Sequence, residues 1–281
     1  MRIHIVDAFT TRPFAGNPAG VCLLPAGPWP QDSWLRRIAA ELNHPETAFA
    51  LPLPAGGDGG DAAEWEIRWF TPLVEANLCG HATLATAHTL RREGLLTGGS
   101  VRFRSRFNGV LIAHAGEGGE FTLDFPAAPA HAVPVPEGLA DALGVRPEGT
   151  FRTGALGDLL TVLPDEAAVR ALRPDLAAIA ALTVREGLRG VIVTAVAAET
   201  GQGHDFVSRF FAPANGIPED PVTGSAHTSL APFWSARMGG RTELVGFQAS
   251  ARTGLVRTAL RGDRVLLSGH AVTVLEATLT A

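Results

Sequence analysis

The sequence predicts a protein of mixed strands and helices, built from two similar halves. Strand and helix patterns run through most of the 281 residues, and a proline-rich segment interrupts them near the middle. One short motif occurs on both sides of that segment. A restart of this kind, with the same motif in each half, is typical of an internal duplication.

The first half contains two predicted helices among several strands. The patterns predict strands at 2–9, 47–53, 64–70, 100–106, 109–114 and 120–125, and helices at 32–42 and 81–94. Asp32 or Ser33 is the predicted cap of the first helix, and Gly94 ends the second. The loop 54–64, rich in glycine and aspartate, is predicted to join two strands of a hairpin.

The segment 126–138 is predicted to link two domains, because it holds four prolines and little that could pair in a sheet. After it the patterns predict strands at 158–163, 190–197, 205–211, 243–248, 254–260 and 264–268, a helix at 225–237, and a last strand at 270–279. We expect a first domain over 1–127, completed by the C-terminal strand within 270–281, and a second domain over 128–269.

The repeated motif joins a strand to a helix start. EIRWFTP at 66–72 leads to LCGHATLATAH, and VSRFFAP at 207–213 leads to VTGSAHTSLAP. Each copy has the form Arg-aromatic-Phe-x-Pro, then an acid-bearing turn, then a helix of small residues with glycine at its head. We expect the two helix N-termini to face one another across a cleft, where their free N–H groups would attract an anionic substrate.

The charged residues exclude several classes of function. The net charge is −5, and all 23 basic residues are arginine, because the chain has no lysine. The chain has no tyrosine either. A lysine Schiff base, a Walker lysine and a tyrosine acid are therefore excluded. The densest basic cluster, at 102, 104 and 106, alternates as on the exposed face of a strand, so we expect no nucleic-acid partner.

Hydropathy and cysteine content predict a cytoplasmic location and no membrane association. The N-terminal residues lack the uninterrupted apolar core of a secretory signal, and the longest apolar stretch, 191–198, is too short to span a membrane. Cys22 and Cys79 are too few for a disulfide framework and form no CxxC pair.

Two sites in the first half offer candidate chemistry. Glu46 follows a proline at the start of a strand, where it is either a solvated loop acid or a general acid/base. Cys79, Gly80 and His81 open the second helix. Cys79 is either a thiolate activated by the helix terminus or a small buried side chain. His81 suits a proton donor or a hydrogen-bond donor, and the chain shows no metal-binding pattern.

The stretch EDPVTGSAH at 219–227 offers a third site. Asp220 is either a turn residue before Pro221 or a functional acid, and Ser225 is either a cap or a ligand-binding hydroxyl. Thr223 and Ser225 flank Gly224 at the predicted helix start, so their N–H groups and hydroxyls suit a carboxylate. His227 is expected on the helix surface without a role.

Four blocks of the sequence together resemble the PhzF family of phenazine-biosynthesis-like isomerases. They are VDAFTTRPFAGNPAGV (6–21), PETAF (45–49), FTPLVEANLCGHATLA (70–85) and EDPVTGSAH (219–227). The resemblance implies an α+β fold like that of diaminopimelate epimerase. Its two pseudo-symmetric halves are each a curled mixed β-sheet or barrel around a central α-helix, with the active site in the cleft between them. It also implies a homodimer.

The resemblance further implies a cofactor-independent isomerase, since the family's named member moves a proton in a dihydro-hydroxyanthranilate without metal or organic cofactor. Its proton-carrying glutamate matches Glu46, its Gly-His pair matches Gly80 and His81, its aspartate matches Asp220, and its serine matches Ser225. Asp220 and Ser225 would then hold the substrate, with Gly224 and Thr223 beside them, while Glu46 moves the proton.

Two departures from related enzymes limit what the resemblance implies. Related racemases carry a cysteine in each half, whereas Thr223 occupies the second slot here, which disfavours a two-thiol racemase. Asn77 stands where many family members have an aspartate. Two alternatives to proton transfer by Glu46 therefore stay open: a one-thiol epimerase or dehydratase that uses Cys79, and a binding module for small carboxylates without catalysis.

Overall fold

The computed structural model describes residues 1–54, 63–96, 98–198 and 203–280. The strands in chain order are β1 (Arg2–Ala8), β2 (Asn17–Leu23), β3 (Glu46–Pro52), β4 (Trp65–Phe70), β5 (Glu75–Ala76), β6 (Ser100–Ser105), β7 (Gly109–Ala115), β8 (Phe121–Pro126), β9 (Ala130–Val133), β10 (Gly149–Thr153), β11 (Asp158–Val162), β12 (Gly190–Val196), β13 (Phe206–Ala212), β14 (Ile217–Asp220), β15 (Glu243–Gln248), β16 (Gly254–Arg261), β17 (Arg264–Gly269) and β18 (Ala271–Thr278). The helices are α1 (Asp32–Leu42), α2 (Gly80–Arg92), α3 (Leu139–Leu143), α4 (Glu166–Ala171), α5 (Leu176–Glu186) and α6 (Gly224–Arg237).

The chain divides into two compact units. The first consists of Met1–Asp124 with Ser268–Ala281, and the second of Phe125–Leu267. In the first unit β18 pairs antiparallel with β1, so the C-terminal strand returns to the sheet that holds the N-terminal strand. Within the described residues, none of the helices combines the length and apolar content of a membrane span.

Both units have the same order of strand pairings. In the first unit β1 and β2 are antiparallel, β2 and β3 parallel, β3 and β4 antiparallel, β4 and β6 parallel, and β6 and β7 antiparallel. In the second unit the same sequence of pairings runs through β10, β11, β12, β13, β15 and β16. The helix α2 lies between β5 and β6 in the chain, as α6 lies between β14 and β15. This correspondence supports the interpretation of an internal duplication.

The helix α2 is buried along most of its length, from Gly80 to Leu90. It contacts β1, β2, β3, β7 and β18 of the first unit. Its three buried threonines satisfy their hydroxyls within the helix, because Thr83 donates to the carbonyl of Cys79, Thr86 to that of Ala82, and Thr89 to that of Ala85. Such bonds let a helix with hydroxyl groups lie in an apolar core without unsatisfied donors.

The core of the second unit lies on both sides of its sheet. On one side, α6 packs Leu230, Phe233 and Trp234 against strand residues such as Phe206 and Leu244. On the other, Ile179 and Leu182 of α5 pack with Val191, Val193 and Phe211. Each fully buried side chain of this size stabilises the fold by about 1.5–3 kcal/mol relative to exposure.

The structure corrects several predictions about the elements. The segment 126–138 is not free of sheet structure, because β9 lies within it and pairs with β10. The strands β2, β5, β10 and β14 and the helices α3, α4 and α5 were not predicted. The N-cap of α1 is Gln31, not Asp32 or Ser33. Most of the predicted hairpin loop 54–64 lies outside the described residues.

Candidate active site

A carboxylate, an imidazole, an amide and a thiol come together in the first unit. Glu46 is the first residue of β3, Asn17 is the first residue of β2, and β2 and β3 are parallel neighbours. His81 is the second residue of α2, and Cys79 is the N-cap of that helix. The parallel pairing brings Asn17 and Glu46 to the same end of the sheet, where α2 begins.

His81 lies at the centre of this cluster. Its Nε2 is 3.5 Å from Oε2 of Glu46. Its Nδ1 is 3.2 Å from Nδ2 of Asn17 and 3.4 Å from Sγ of Cys79. The side chain of His81 is 5% exposed and that of Glu46 is 14% exposed, so the pair is largely shielded while Glu46 keeps some access to solvent.

Burial lowers the pKa of His81 from its usual 6.5 to about 3, with a smaller contribution from repulsion by His44. At neutral pH the imidazole is therefore neutral, with one ring nitrogen that donates and one that accepts. A neutral imidazole beside a carboxylate can donate a hydrogen bond to charge that develops on a nearby atom.

The same cluster could be considered for a metal ion. One ligand atom each from Glu46, Cys79 and His81 lies within 4.8 Å of the others. The two nitrogens of His81 nevertheless face different partners, Nδ1 towards Cys79 and Nε2 towards Glu46. Ligand atoms of a tetrahedral zinc site lie about 3.5 Å apart and use one nitrogen per histidine, so this arrangement does not suit such a site. The expectation of no metal stays a prediction.

A second polar cluster surrounds the start of α6 in the second unit. The N-cap is Thr223, whose hydroxyl donates to Oδ2 of Asp220 at 2.5 Å. Gln248 of β15 holds both residues: its Oε1 accepts from the backbone N–H of Thr223 at 2.8 Å, and its Nε2 donates to the backbone carbonyl of Asp220 at 2.7 Å. Asp220 is 7% exposed, so this carboxylate is fixed by buried hydrogen bonds.

Ser225 belongs to a separate network beside the same helix start. Both terminal nitrogens of Arg189 donate to Oγ of Ser225 at 3.1 Å. The same guanidinium donates to Asp158 through Nε at 2.8 Å and Nη2 at 2.5 Å. Because its oxygen accepts from Arg189, the Ser225 hydroxyl proton is directed elsewhere, and Ser225 acts as a donor. Burial raises the pKa of Asp158, and the guanidinium of Arg189 opposes that shift.

The repeated motif forms the same ion pair in each unit. Arg68 donates to both carboxylate oxygens of Glu75 at 2.8 Å, and Arg209 donates to both oxygens of Glu219 at 2.7 and 2.9 Å. Each guanidinium also lies over the phenylalanine two residues later, at 5.1 Å for Phe70 and 5.0 Å for Phe211. Glu219 is thus a structural partner of Arg209.

The register of the strands shows where the units differ. Thr47 pairs with Phe70 in the first unit, and Val191 pairs with Phe211 in the second. Since Phe70 and Phe211 correspond in the motif, Glu46 corresponds to Gly190. A Cβ at Gly190 would lie 2.5 Å from the ring of Phe210, so no side chain fits there. Only the first unit can place a carboxylate at this position.

The structure brings the predicted site residues into two groups. Glu46 and His81 lie together in the first unit with Gly80 between His81 and the N-cap, and Asp220, Thr223, Gly224 and Ser225 lie together in the second. Sequence reasoning missed Asn17, Asp158, Arg189 and Gln248. Asn17 stood within the first quoted motif, and Arg189 directly precedes a predicted strand. The expectation that His227 lies on the helix surface was wrong, because its side chain is fully buried against Phe206.

The structure has an α+β fold, and in its first unit a carboxylate and a histidine lie together at a helix start. A probable proline racemase from Agrobacterium radiobacter has the same fold, with a TM-score of 0.65 at 11% identity over 99% of this chain and 92% of that one. The model of the PhzC-PhzF family, described as phenazine biosynthesis-like protein, matches residues 6–277. The chain belongs to this family, which confirms the predicted fold class and the resemblance.

Relatives of the chain include bacterial and mammalian proteins. An uncharacterized isomerase of Pseudomonas aeruginosa is 46% identical over 274 residues, which cover 98% of this chain and 96% of the relative. The human phenazine biosynthesis-like domain-containing protein is 37% identical, with 99% of each chain covered. The crystal structure of a PhzF-family protein from Enterococcus faecalis gives a TM-score of 0.85 at 37% identity, with 99% of each chain covered.

Proposed function

We propose that this protein is a cofactor-independent isomerase that moves a proton between two carbon atoms of a small carboxylate, with Glu46 as the group that carries the proton. The observation that carries the proposal is the position of Glu46 beside the neutral, buried imidazole of His81 at 3.5 Å. Several relatives named isomerases support the class of reaction.

The proposed reaction is balanced without a co-reactant. The Glu46 carboxylate takes a proton from one carbon of the substrate, and the electron pair of that C–H bond moves into the adjacent conjugated system. The protonated Glu46 then returns the proton to a different carbon. His81 stabilises the charge that develops meanwhile, because a neutral donor in a shielded site is a strong stabiliser of such charge.

We assign substrate binding to the residues at the two helix starts. The backbone N–H groups in the first turn of a helix have no partner within the helix and suit an anion. Gly80 provides such a group in α2, and Gly224 and Ser225 do so in α6. The hydroxyl of Ser225 adds a donor oriented by Arg189. Asp220 is held by Thr223 and Gln248 and suits an amino group of the substrate.

A second candidate function rests on the contact of Cys79 with His81. The thiol lies 3.4 Å from Nδ1, as in a pair where an imidazole activates a thiol. In that case Cys79 would carry the proton of an epimerase or a dehydratase. The structure favours Glu46, because Glu46 is more exposed to a ligand than Cys79, which is 4% exposed.

Proton NMR in deuterated water tests the function. The protein is mixed with a panel of small amino and hydroxy carboxylates that includes the dihydro-hydroxyanthranilate, and loss of a carbon-bound proton signal reports proton transfer. Glu46→Gln is expected to slow exchange by about 10²–10⁴-fold while the melting temperature stays near that of the wild type. The control is Glu41→Gln, an exposed glutamate of α1 in the same unit.

Three results would change the assignment. Full exchange in Glu46→Gln with loss in Cys79→Ser would transfer the role to the thiol. Thermal stabilisation by a carboxylate with no exchange at any carbon would indicate the non-catalytic binding module. Loss of exchange after dialysis against EDTA would overturn the expectation of no metal. The homodimer implied by the family is a separate proposal, and light scattering of the purified chain would test it.

A further inference from the structure

Both ring nitrogens of His81 have neighbouring side chains that can form hydrogen bonds. On the Nδ1 side lie the amide nitrogen of Asn17 at 3.2 Å and the thiol of Cys79 at 3.4 Å. On the Nε2 side lies the carboxylate of Glu46 at 3.5 Å. An amide nitrogen donates hydrogen bonds and a carboxylate accepts them, whereas a thiol can do either. Asn17 and Glu46 therefore require the same tautomer, in which Nδ1 accepts and Nε2 carries the proton, and the thiol of Cys79 fits this tautomer as a donor.

We infer that Asn17 is a positioning residue that holds His81 in the tautomer with its proton on Nε2, so that His81 donates a hydrogen bond and Glu46 alone carries the substrate proton. The inference deepens the proposed function and rests on it for the roles of His81 and Glu46. Asn17 would not touch the reacting atoms, because it acts through the far side of the imidazole ring.

The backbone fixes Asn17 where this role requires it. Asn17 is fully buried and opens β2, where it pairs with Ala8 of β1. Gly16, just before it, has φ +66°, and a Cβ there would lie 2.1 Å from the carbonyl oxygen of Ala8. Only glycine lets the chain enter β2 in this way. The helix α2, which carries His81, packs directly against β2.

An uncharged amide suits this position better than a carboxylate. An aspartate would accept a hydrogen bond from Nδ1 and would favour the imidazolium form. The groups with charge or titration that face His81 are His44, Glu46 and Cys79. An amide keeps the imidazole neutral beside Glu46 and directs its single N–H towards the carboxylate, where proton transfer is proposed.

The tautomer can be read without a substrate. The full chain is labelled with ¹⁵N-histidine, and two-bond ¹H–¹⁵N correlation spectra show which nitrogen of each imidazole carries the proton. The His81 signals are identified by their loss in His81→Gln. In the wild type we expect the proton on Nε2 at neutral pH. In Asn17→Asp we expect it on Nδ1, or on both nitrogens, because the new carboxylate accepts.

Two further variants complete the experiment. Asn17→Leu has similar size but no polar group, so it is expected to weaken the preference for one tautomer; it also serves if Asn17→Asp does not fold. Asn43→Asp, at the exposed C-cap of α1, is the matched control and should leave the His81 signals unchanged.

The spectra separate the two proposals. A wild-type His81 with its proton on Nδ1 would overturn the inference, as would an unchanged tautomer in both Asn17→Asp and Asn17→Leu. If the tautomer follows Asn17 while no carboxylate undergoes exchange, the positioning role stands and the proposed isomerase fails. If exchange occurs but the tautomer does not depend on Asn17, only the positioning role fails.

Discussion

Arg189 and Asp158 form a bidentate ion pair, in which the carboxylate of Asp158 is fully buried and the side chain of Arg189 is 36% exposed. The guanidinium also lies over the ring of Phe210 at 5.1 Å. Since Arg189 bonds Ser225 with both terminal nitrogens, the ion pair fixes the hydroxyl of Ser225 at the start of α6.

This relationship predicts a binding defect in Arg189→Lys. A lysine keeps the positive charge beside Asp158 but cannot bond both carboxylate oxygens and Ser225 at once. We expect KM for the carboxylate that undergoes exchange to rise about tenfold, which corresponds to about 1.4 kcal/mol, with a smaller change in kcat. The matched control is Arg146→Lys, at an exposed arginine of the same unit. An unchanged KM in both Arg189→Lys and Ser225→Ala would remove Ser225 from the substrate site.

The repeated ion pair predicts a large loss of stability in Arg209→Met. Arg209 is 7% exposed and also donates to the backbone carbonyls of Val169 and Leu172 at 3.3 and 2.7 Å. The substitution leaves Glu219 and both carbonyls without these donors, so we expect the free energy of unfolding to fall by about 2–4 kcal/mol.

A surface pair provides the control for this prediction. Arg261 bonds Glu243, and these side chains are 49% and 73% exposed. Arg261→Met is expected to cost less than about 1 kcal/mol. Urea unfolding of both variants measures the difference. Equal losses in the free energy of unfolding would show that the Arg209–Glu219 ion pair stabilises the fold no more than a surface ion pair does.

Substitution by serine is expected to affect stability differently at the two cysteines. Cys79 is the N-cap of α2 but makes no capping hydrogen bond, whereas serine is a favoured cap worth about 0.5–2 kcal/mol. Cys79→Ser should therefore keep its melting temperature and, if Glu46 carries the proton, its exchange activity.

Cys22 is the matched comparison. It is fully buried, and burial raises the pKa of its thiol to about 12. Cys22→Ser places a hydroxyl in an apolar core and should cost about 1–3 kcal/mol. Thermal unfolding of both variants checks the contrast in stability. Loss of exchange in Cys79→Ser with an intact fold would favour the one-thiol alternative.

The sequence predicted the elements that local patterns define. The helices α1 and α2 have periodic apolar residues, and the starts of α2 and α6 each have a glycine turn. Both features are strong local signals. The strand β2 escaped prediction because proline and small residues dominate it. It nevertheless needs a small residue at Gly20, where a Cβ would lie 2.8 Å from Oγ1 of Thr47. In the predicted linker, Pro129 and Pro134 flank β9 and stay outside its pairing with β10, so prolines did not prevent a strand.

The missed site residues depend on contacts between distant parts of the chain. Gln248 meets Thr223 because β15 lies parallel to β13, and Arg189 meets Asp158 because β12 lies parallel to β11. No local pattern encodes such pairings. Glu46 and His81 could be predicted as site residues because each lies in a recognisable turn. Their contact with one another follows only from the fold.

Two buried histidines, His81 and His227, and the half-buried His88 predict that stability falls in mild acid. Burial is the main cause that lowers the pKa of His81 to about 3 and those of His88 and His227 to about 4, from the usual 6.5. Below pH 6.5 the unfolded chain binds protons at these positions that the folded chain does not. The unfolded state therefore gains stability as pH falls, until the folded pKa values are reached. Between pH 7 and pH 5.5 we expect a loss of about 3–4 kcal/mol in the free energy of unfolding.

His227→Asn isolates one of these contributions. Nδ1 of His227 lies 2.8 Å from the carbonyl oxygen of Thr223, and an asparagine amide can donate in its place. The variant should lose about 1 kcal/mol less than the wild type over the same pH interval, whatever its stability at pH 7. The control is His131→Asn, at an exposed position of β9, which should keep the wild-type dependence. Urea unfolding at both pH values gives the comparison, and an identical pH dependence in His227→Asn and wild type would show that His227 does not contribute to acid sensitivity.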